Sequence, residues 1–140
     1  LKNETKIPSN QIDFIKKFNK DIKIFRTFFE ICNLEKFNLK DSYLIFSGIG
    51  NPQSFKNILT QNQFNIVDEI IYSDHKKYSK KEINYITERA KKLNAKILTT
   101  EKDFVKISKL DPKFAEFIEL RLVIENEKEF EKFLLNKLNG

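Results

Sequence analysis

Methionine is absent from this sequence, and glycine, proline, cysteine and histidine nearly so: 140 residues hold three Gly, three Pro, one Cys and one His. Without Met the chain has no initiator of its own, and beginning at Leu1 it reads as a fragment. The single Cys32 excludes an internal disulfide and a cysteine zinc site, and it fits a reducing cytoplasm. No apolar run reaches the roughly 20 residues that cross a bilayer, and no signal-peptide pattern opens the chain, so any membrane contact is expected to be peripheral. No G-x-x-x-x-G-K-[ST] phosphate loop occurs between Leu1 and Gly140, so the chain is not expected to bind and split a nucleotide alone. With Gly and Pro so scarce, each one is expected to mark a defined turn or helix boundary.

What remains is enough to fold. The hydrophobic fraction is 40%, and 14 Phe spread from Phe14 to Phe133 supply large surfaces for burial. A chain of this length suits one compact domain with an additional arm. The formal charge of +6 comes mostly from Lys dispersed as Lys16-Lys17, Lys76-Lys77, Lys80-Lys81 and Lys91-Lys92. Dispersed Lys is the pattern of a solvated surface, and it comes with no RNA-binding aromatic motif or helix-turn-helix, so nucleic acid is not an expected partner.

After Pro8-Ser9, the residues Ile12, Ile15 and Phe18 share a helical face, with Ser9 as candidate N-cap. Asp21 to Ile31 is rich in β-branched and aromatic residues and reads as an extended ribbon. These elements, with the polar turn from Asn33 to Asp41, form the expected arm over residues 1–41. From Ser42 to Gly140 apolar runs alternate with amphipathic stretches: strands at Tyr43–Phe46, Ile66–Tyr72, Ala95–Leu98 and Ile118–Ile124, helices between them and a last helix through Leu138. The pattern predicts an α/β fold, a small sandwich with a mostly parallel sheet flanked by helices and preceded by a β-ribbon arm. Ligands of such sheets gather beyond the carboxyl ends of the strands, which places Ser47–Pro52, Ser73–Tyr78 and Thr99–Asp103 on one edge.

Each of these segments is ambiguous alone. Gly48 and Gly50 let the backbone approach a ligand between strand and helix, with Asn51 as cap and Pro52 as first helical residue, but a tight turn needs no more. His75, the only histidine, can accept a proton near neutral pH. Its neighbour Asp74 is expected to point the other way in an extended loop. Ser79-Lys80-Lys81-Glu82 has capping-box spacing, as do Thr100 and Asp103 around Glu101 and Lys102. Lys102 and the amides of the following helix would also suit a phosphate.

Together, in this order, the stretches Phe46–Pro52 with Phe55, Asp74-His75 with Tyr78, and Thr99–Asp103 running into Val105-Lys106 resemble the tetraacyldisaccharide 4'-kinase family, which phosphorylates the disaccharide precursor of lipid A. The resemblance spans about residues 20–125. It implies that residues 42–140 are the family's carboxy-terminal α/β domain, that 1–41 contains its ribbon linker, and that the amino-terminal P-loop domain is absent. It also implies that His75 matches the histidine of the family's Asp-His motif, which works beside an aspartate of the amino-terminal domain to activate the sugar 4'-hydroxyl. The family's usual second histidine is replaced here by Lys76.

The reaction so implied is transfer of the γ-phosphate of ATP, with Mg2+, to the 4'-hydroxyl of the tetraacyldisaccharide 1-phosphate precursor. Candidate catalytic residues are His75 and Asp74; Gly48, Gly50, Asn51, Thr100, Glu101, Lys102 and Asp103 are candidates on the substrate or phosphate side. No metal ligand is assigned, because ATP and Mg2+ are expected mainly in the absent half. The expected partners are the lipid and that P-loop half or an upstream segment. The expected place is the cytoplasm, peripheral at the inner membrane of a Gram-negative bacterium. The rival reading is a non-catalytic remnant or interaction domain from a split or decayed gene.

Overall fold

The computed structural model describes residues 9–139. Its elements are α1 (Ser9–Phe18), β1 (Thr27–Ile31), a 3-10 turn at Leu34–Lys36, β2 (Ser42–Ser47), α2 (Pro52–Gln61), β3 (Asn65–Ile71), α3 (Lys80–Leu93), β4 (Lys96–Thr100), α4 (Glu101–Ile107), β5 (Glu116–Ile118), β6 (Leu120–Ile124) and α5 (Glu127–Leu138). Two compact units result: Ile31–Leu120, and Leu1–Glu30 with Arg121–Gly140.

The unit Ile31–Leu120 contains a four-stranded sheet in the order β3-β2-β4-β5, parallel at every pairing. The expected α/β class with a parallel sheet and flanking helices is what forms. The central strand β2 is buried from Tyr43 to Ser47, as a parallel strand covered on both faces must be. Its period of two divides the core. Tyr43 and Ile45 pack with Phe55 and Leu59 of α2, with Leu98 and with Ile118. Leu44 and Phe46 pack on the opposite face with Ile83, Ile86 and Ala90 of α3, with Ile107 of α4 and with Phe114. The chain therefore crosses by one face from β2 to β3 and by the other from β3 to β4. The crossover reverses between β2 and β4, and in sheets of this kind ligands bind beyond the carboxyl ends of the strands at such a reversal.

Helix boundaries follow local chemistry. Asn51 caps α2 by accepting from the Ser54 amide, with Pro52 in the first turn. Ser79 and Glu82 complete the expected capping box on α3, and Asn94 ends that helix in the left-handed conformation at φ 48°.

Two expectations are corrected. The ribbon read from Asp21 to Ile31 is a strand only from Thr27, because its partner β6 is itself five residues long and the pairing ends with the Glu125 N–H bond to the Arg26 carbonyl at 2.8 Å. The strand read as Ile118–Ile124 is two strands parted at Glu119. There the buried Asn33 donates its amide to the Phe117 carbonyl (2.9 Å) and accepts from the Glu119 backbone N–H (3.0 Å), which anchors the chain as it leaves the parallel sheet.

In the other unit β1 pairs with β6, and the Phe25 ring packs on Phe130 (5.0 Å between centroids) and Phe133 (5.4 Å). None of its described residues is buried, and Phe14, Phe18 and Leu138 are largely exposed. Ile12, Ile15 and Phe18 do lie on a helix, whereas Pro8 and the side chain of Ser9 fall outside the described residues. Among the described residues no helix is long and apolar enough to cross a membrane.

Candidate functional site

The loops after β2, β3 and β4 meet at the carboxyl edge of the sheet, at the crossover reversal. The first is drawn to the third by a buried carboxyl group. Asp103, fully buried in the first turn of α4, accepts from the Gly48 backbone N–H (2.8 Å) and the Thr100 hydroxyl (2.9 Å) through Oδ2. Its Oδ1 faces the Lys106 ammonium at 3.1 Å. Thr100 caps α4 by accepting from the Asp103 amide, and Thr99 donates its buried hydroxyl to the Phe46 carbonyl at 2.8 Å. Thr99 thus ties β4 to β2 just below the loops.

The second loop is drawn to the third by Asp74. Its Oδ1 accepts from the Lys102 ammonium (3.1 Å) and the His75 backbone N–H (2.9 Å), and its Oδ2 lies 3.5 Å from His75 Nε2. The hydrogen bond from Lys102, helped by the His75 amide, holds the Asp74 carboxyl below the usual carboxylate range against the opposing effect of desolvation. The expectation that Asp74 and His75 point apart is corrected. It assumed an extended chain, whereas His75 has φ 59°, a left-handed turn that swings its ring back over the preceding carboxylate. The imidazole stands largely in solvent, 80% exposed, so a substrate can reach it.

Lys76 turns back onto α3, where its ammonium meets Glu82 at 2.8 Å and sits over the Tyr72 ring at 5.6 Å. Lys76, then Ser79, hold the Glu82 carboxyl down to about 2. Behind the loops the Tyr78 ring lies edge-on to Phe46 (5.7 Å) and Tyr72 (5.5 Å). Its hydroxyl is buried without a hydrogen-bond partner, and burial first, then the charge of Asp103, push it up.

Of the residues singled out in the sequence, Gly48, Asp74, His75, Thr100, Lys102 and Asp103 form one connected arrangement. Asn51 and Glu101 are exposed at its rim, where Asn51 serves α2 as a cap. Lys106 was named only within a motif. Its spacing of three from Asp103 on a helix is the signal that marks it as that residue's partner.

The two glycines differ. Neither has positive φ. A Cβ on Gly48 would lie 2.9 Å from the Tyr78 hydroxyl, 3.2 Å from Lys76 Cβ and 3.3 Å from Asp103 Oδ1, whereas one on Gly50 would meet only Asp74 Oδ2, at 3.6 Å. Gly48→Ala is expected to cost about 1–3 kcal/mol by overpacking. Gly50→Ala should stay within about 0.5 kcal/mol. Thermal melts of the two variants check the contrast, and equal losses would refute it.

A family model described as tetraacyldisaccharide-1-P 4'-kinase matches residues 4–139. The chain belongs to the tetraacyldisaccharide-1-P 4'-kinase family. Among relatives carrying the name tetraacyldisaccharide 4'-kinase, one from Pelagibacter ubique is 38% identical over 125 residues, 89% of this chain and 40% of its own length. One from Flavobacterium psychrophilum is 39% identical over 99 residues, 68% of this chain and 27% of its own length. The matches fall in the carboxy-terminal part of such relatives, so the chain spans two fifths or less of these kinases. In fold, the chain resembles the crystal structure of the "apo" form of LpxK from Aquifex aeolicus in complex with ATP, at a TM-score of 0.51 and 16% identity, over 92% of this chain and 44% of that one.

Proposed function

We propose that these 140 residues are the acceptor-side wall of a kinase that moves the γ-phosphate of ATP to the 4'-hydroxyl of the tetraacyldisaccharide 1-phosphate precursor of lipid A. The chain is inactive until a phosphate-binding segment joins it, and it works in the cytoplasm at the face of the inner membrane. The observation that carries the reading is the run Lys102–Asp74–His75 beyond the carboxyl edge of the sheet, with the imidazole open to an incoming hydroxyl.

In this mechanism His75 Nδ1, the ring nitrogen that does not face Asp74, takes the proton of the 4'-hydroxyl as its oxygen bonds to the γ-phosphorus and the bond from that phosphorus to ADP breaks. Asp74, 3.5 Å from the other ring nitrogen, Nε2, orients the imidazole and stabilises the imidazolium that forms, and Lys102 keeps Asp74 ionised and in place. Lys102, exposed at the rim, also offers a positive charge to anionic oxygens of the substrate. Residues to hold Mg2+ do not come together here: among the described residues no group of three or more His, Cys, Asp or Glu could bind a metal. Asp74 and Asp103 already face lysines, so no step is routed through the metal by this chain.

The test is a chimera in which this chain replaces the matching 40% of the Pelagibacter ubique relative. Phosphorylated disaccharide lipid is expected from the chimera and not from the 140 residues alone. A chimera that melts cooperatively yet makes no product, beside an active parent, would leave a non-catalytic interaction domain as the reading.

A further inference from the structure

We propose that Asp103 is a positioning residue, a buried clamp that locks the Gly48 loop to the first turn of α4 and thereby keeps Lys102 on Asp74 beside His75. Its catalytic consequence rests on the phosphotransfer reading, whereas its geometry does not.

Capping alone does not account for this residue. A helix cap at this position needs only the bond between the Asp103 amide and Thr100, and its side chain would ordinarily face water. Here the carboxyl group is fully buried and has three donors on it: the Gly48 amide, the Thr100 hydroxyl and Lys106. Burying a carboxylate is strongly unfavourable unless its oxygens are matched, so such an arrangement reflects a fixed geometry. Gly48 is its complement: a Cβ there would press within 3.3 Å of Oδ1.

The adjacent residue completes the device. Successive side chains of a helix diverge by about 100°. Asp103 therefore reaches inward to the loop after β2 while Lys102 reaches outward to the loop after β3. Asp74 in turn lies 3.6 Å from where a Gly50 Cβ would be, so the circuit returns to the loop where it began. With the inward arm cut, the first turn of α4 and the Gly48 loop lose their shared reference, and the contact of Lys102 with Asp74 loosens.

The test uses NMR on the 140-residue chain, reading the Gly48 amide and the titration of the Asp74 carboxyl. In Asp103→Asn the Gly48 amide proton should move upfield and the Asp74 midpoint should climb back towards 3.8. Lys102→Gln should raise the Asp74 midpoint while leaving the Gly48 amide where it was. In the chimera, Asp103→Asn should lower kcat by about 10- to 100-fold with KM for the lipid little changed, as a misplaced catalytic group does. If Asp103→Asn does not fold, Gly48→Ala displaces the same carboxyl from the other side and must raise the Asp74 midpoint. A lower melting temperature with an unmoved Asp74 would overturn the clamp and leave Asp103 as a support for α4 alone. The NMR changes with an inactive chimera would sink the phosphotransfer reading instead.

Discussion

His75→Ala is expected to lower kcat of the active chimera by about 10²–10⁴-fold, the range that a positioned general base contributes. KM for both substrates should change little, because the proton is in flight only in the transition state. The position also lets chemistry be separated from folding. The side chain is 80% exposed and, besides its 3.5 Å contact with Asp74, holds nothing in the core, so its removal should leave the melting temperature nearly unmoved. Backbone strain is the confounding factor, since φ at His75 is 59°. His75→Gly addresses it: glycine adopts that conformation without steric cost, so this variant should be as stable as the parent or more so, and equally inactive. Activity retained within about threefold in both variants would remove His75 from the reaction.

How far such a site can be read in advance depends on the distance over which its parts act. The capping box of Ser79 and Glu82 and the cap of α2 at Asn51 are complete within four residues of chain, and both form as the spacing indicates. The common edge of the three loops also follows from the strand and helix alternation, because a parallel sheet puts every strand end on the same side. The spacing of Thr100 and Asp103 made their cap legible but not the reach of Asp103 to the Gly48 loop. The bond from the Gly48 amide joins residues 55 apart in sequence, and no local pattern encodes it. The encounter of Asp74 with His75 was missed for the opposite reason, being too local: one left-handed residue inverts the alternation that an extended chain would have. At the Asp21–Ile31 ribbon, propensity was present from Ile22 but a partner strand was not, and a strand is only as long as its ladder. Asn33, whose side chain parts β5 from β6, looked like any polar turn residue. Its burial depends on the return of residues 117–119, more than 80 positions later.

Phe46→Ala should cause the largest loss of stability among these variants, about 3–5 kcal/mol. Phe46 is fully buried on the central strand, with its ring 5.7 Å from Tyr78 and 5.9 Å from Phe114. Truncation opens a cavity between β2 and the helices α3 and α4, where close packing leaves little room to collapse. Against a total of about 5–15 kcal/mol, such a loss should lower the melting temperature by on the order of 10–20 °C. Phe46→Leu, which fills most of the space, should cost about 1–2 kcal/mol and keeps the comparison measurable if the alanine variant aggregates. Val105→Ala on α4, where the side chain is 54% exposed, provides the surface control and should stay within about 0.5 kcal/mol. The site should feel the cavity as well as the fold. The Tyr78 ring is held between Phe46 and Tyr72, with its hydroxyl against the space that Gly48 leaves open, so a ring freed on one side releases the Gly48 loop from behind. The Gly48 amide should accordingly exchange with solvent faster in Phe46→Ala by more than the general loss of stability accounts for. Equal acceleration at Gly48 and at core amides of β4 would show that Phe46 supports the sheet and not the loop.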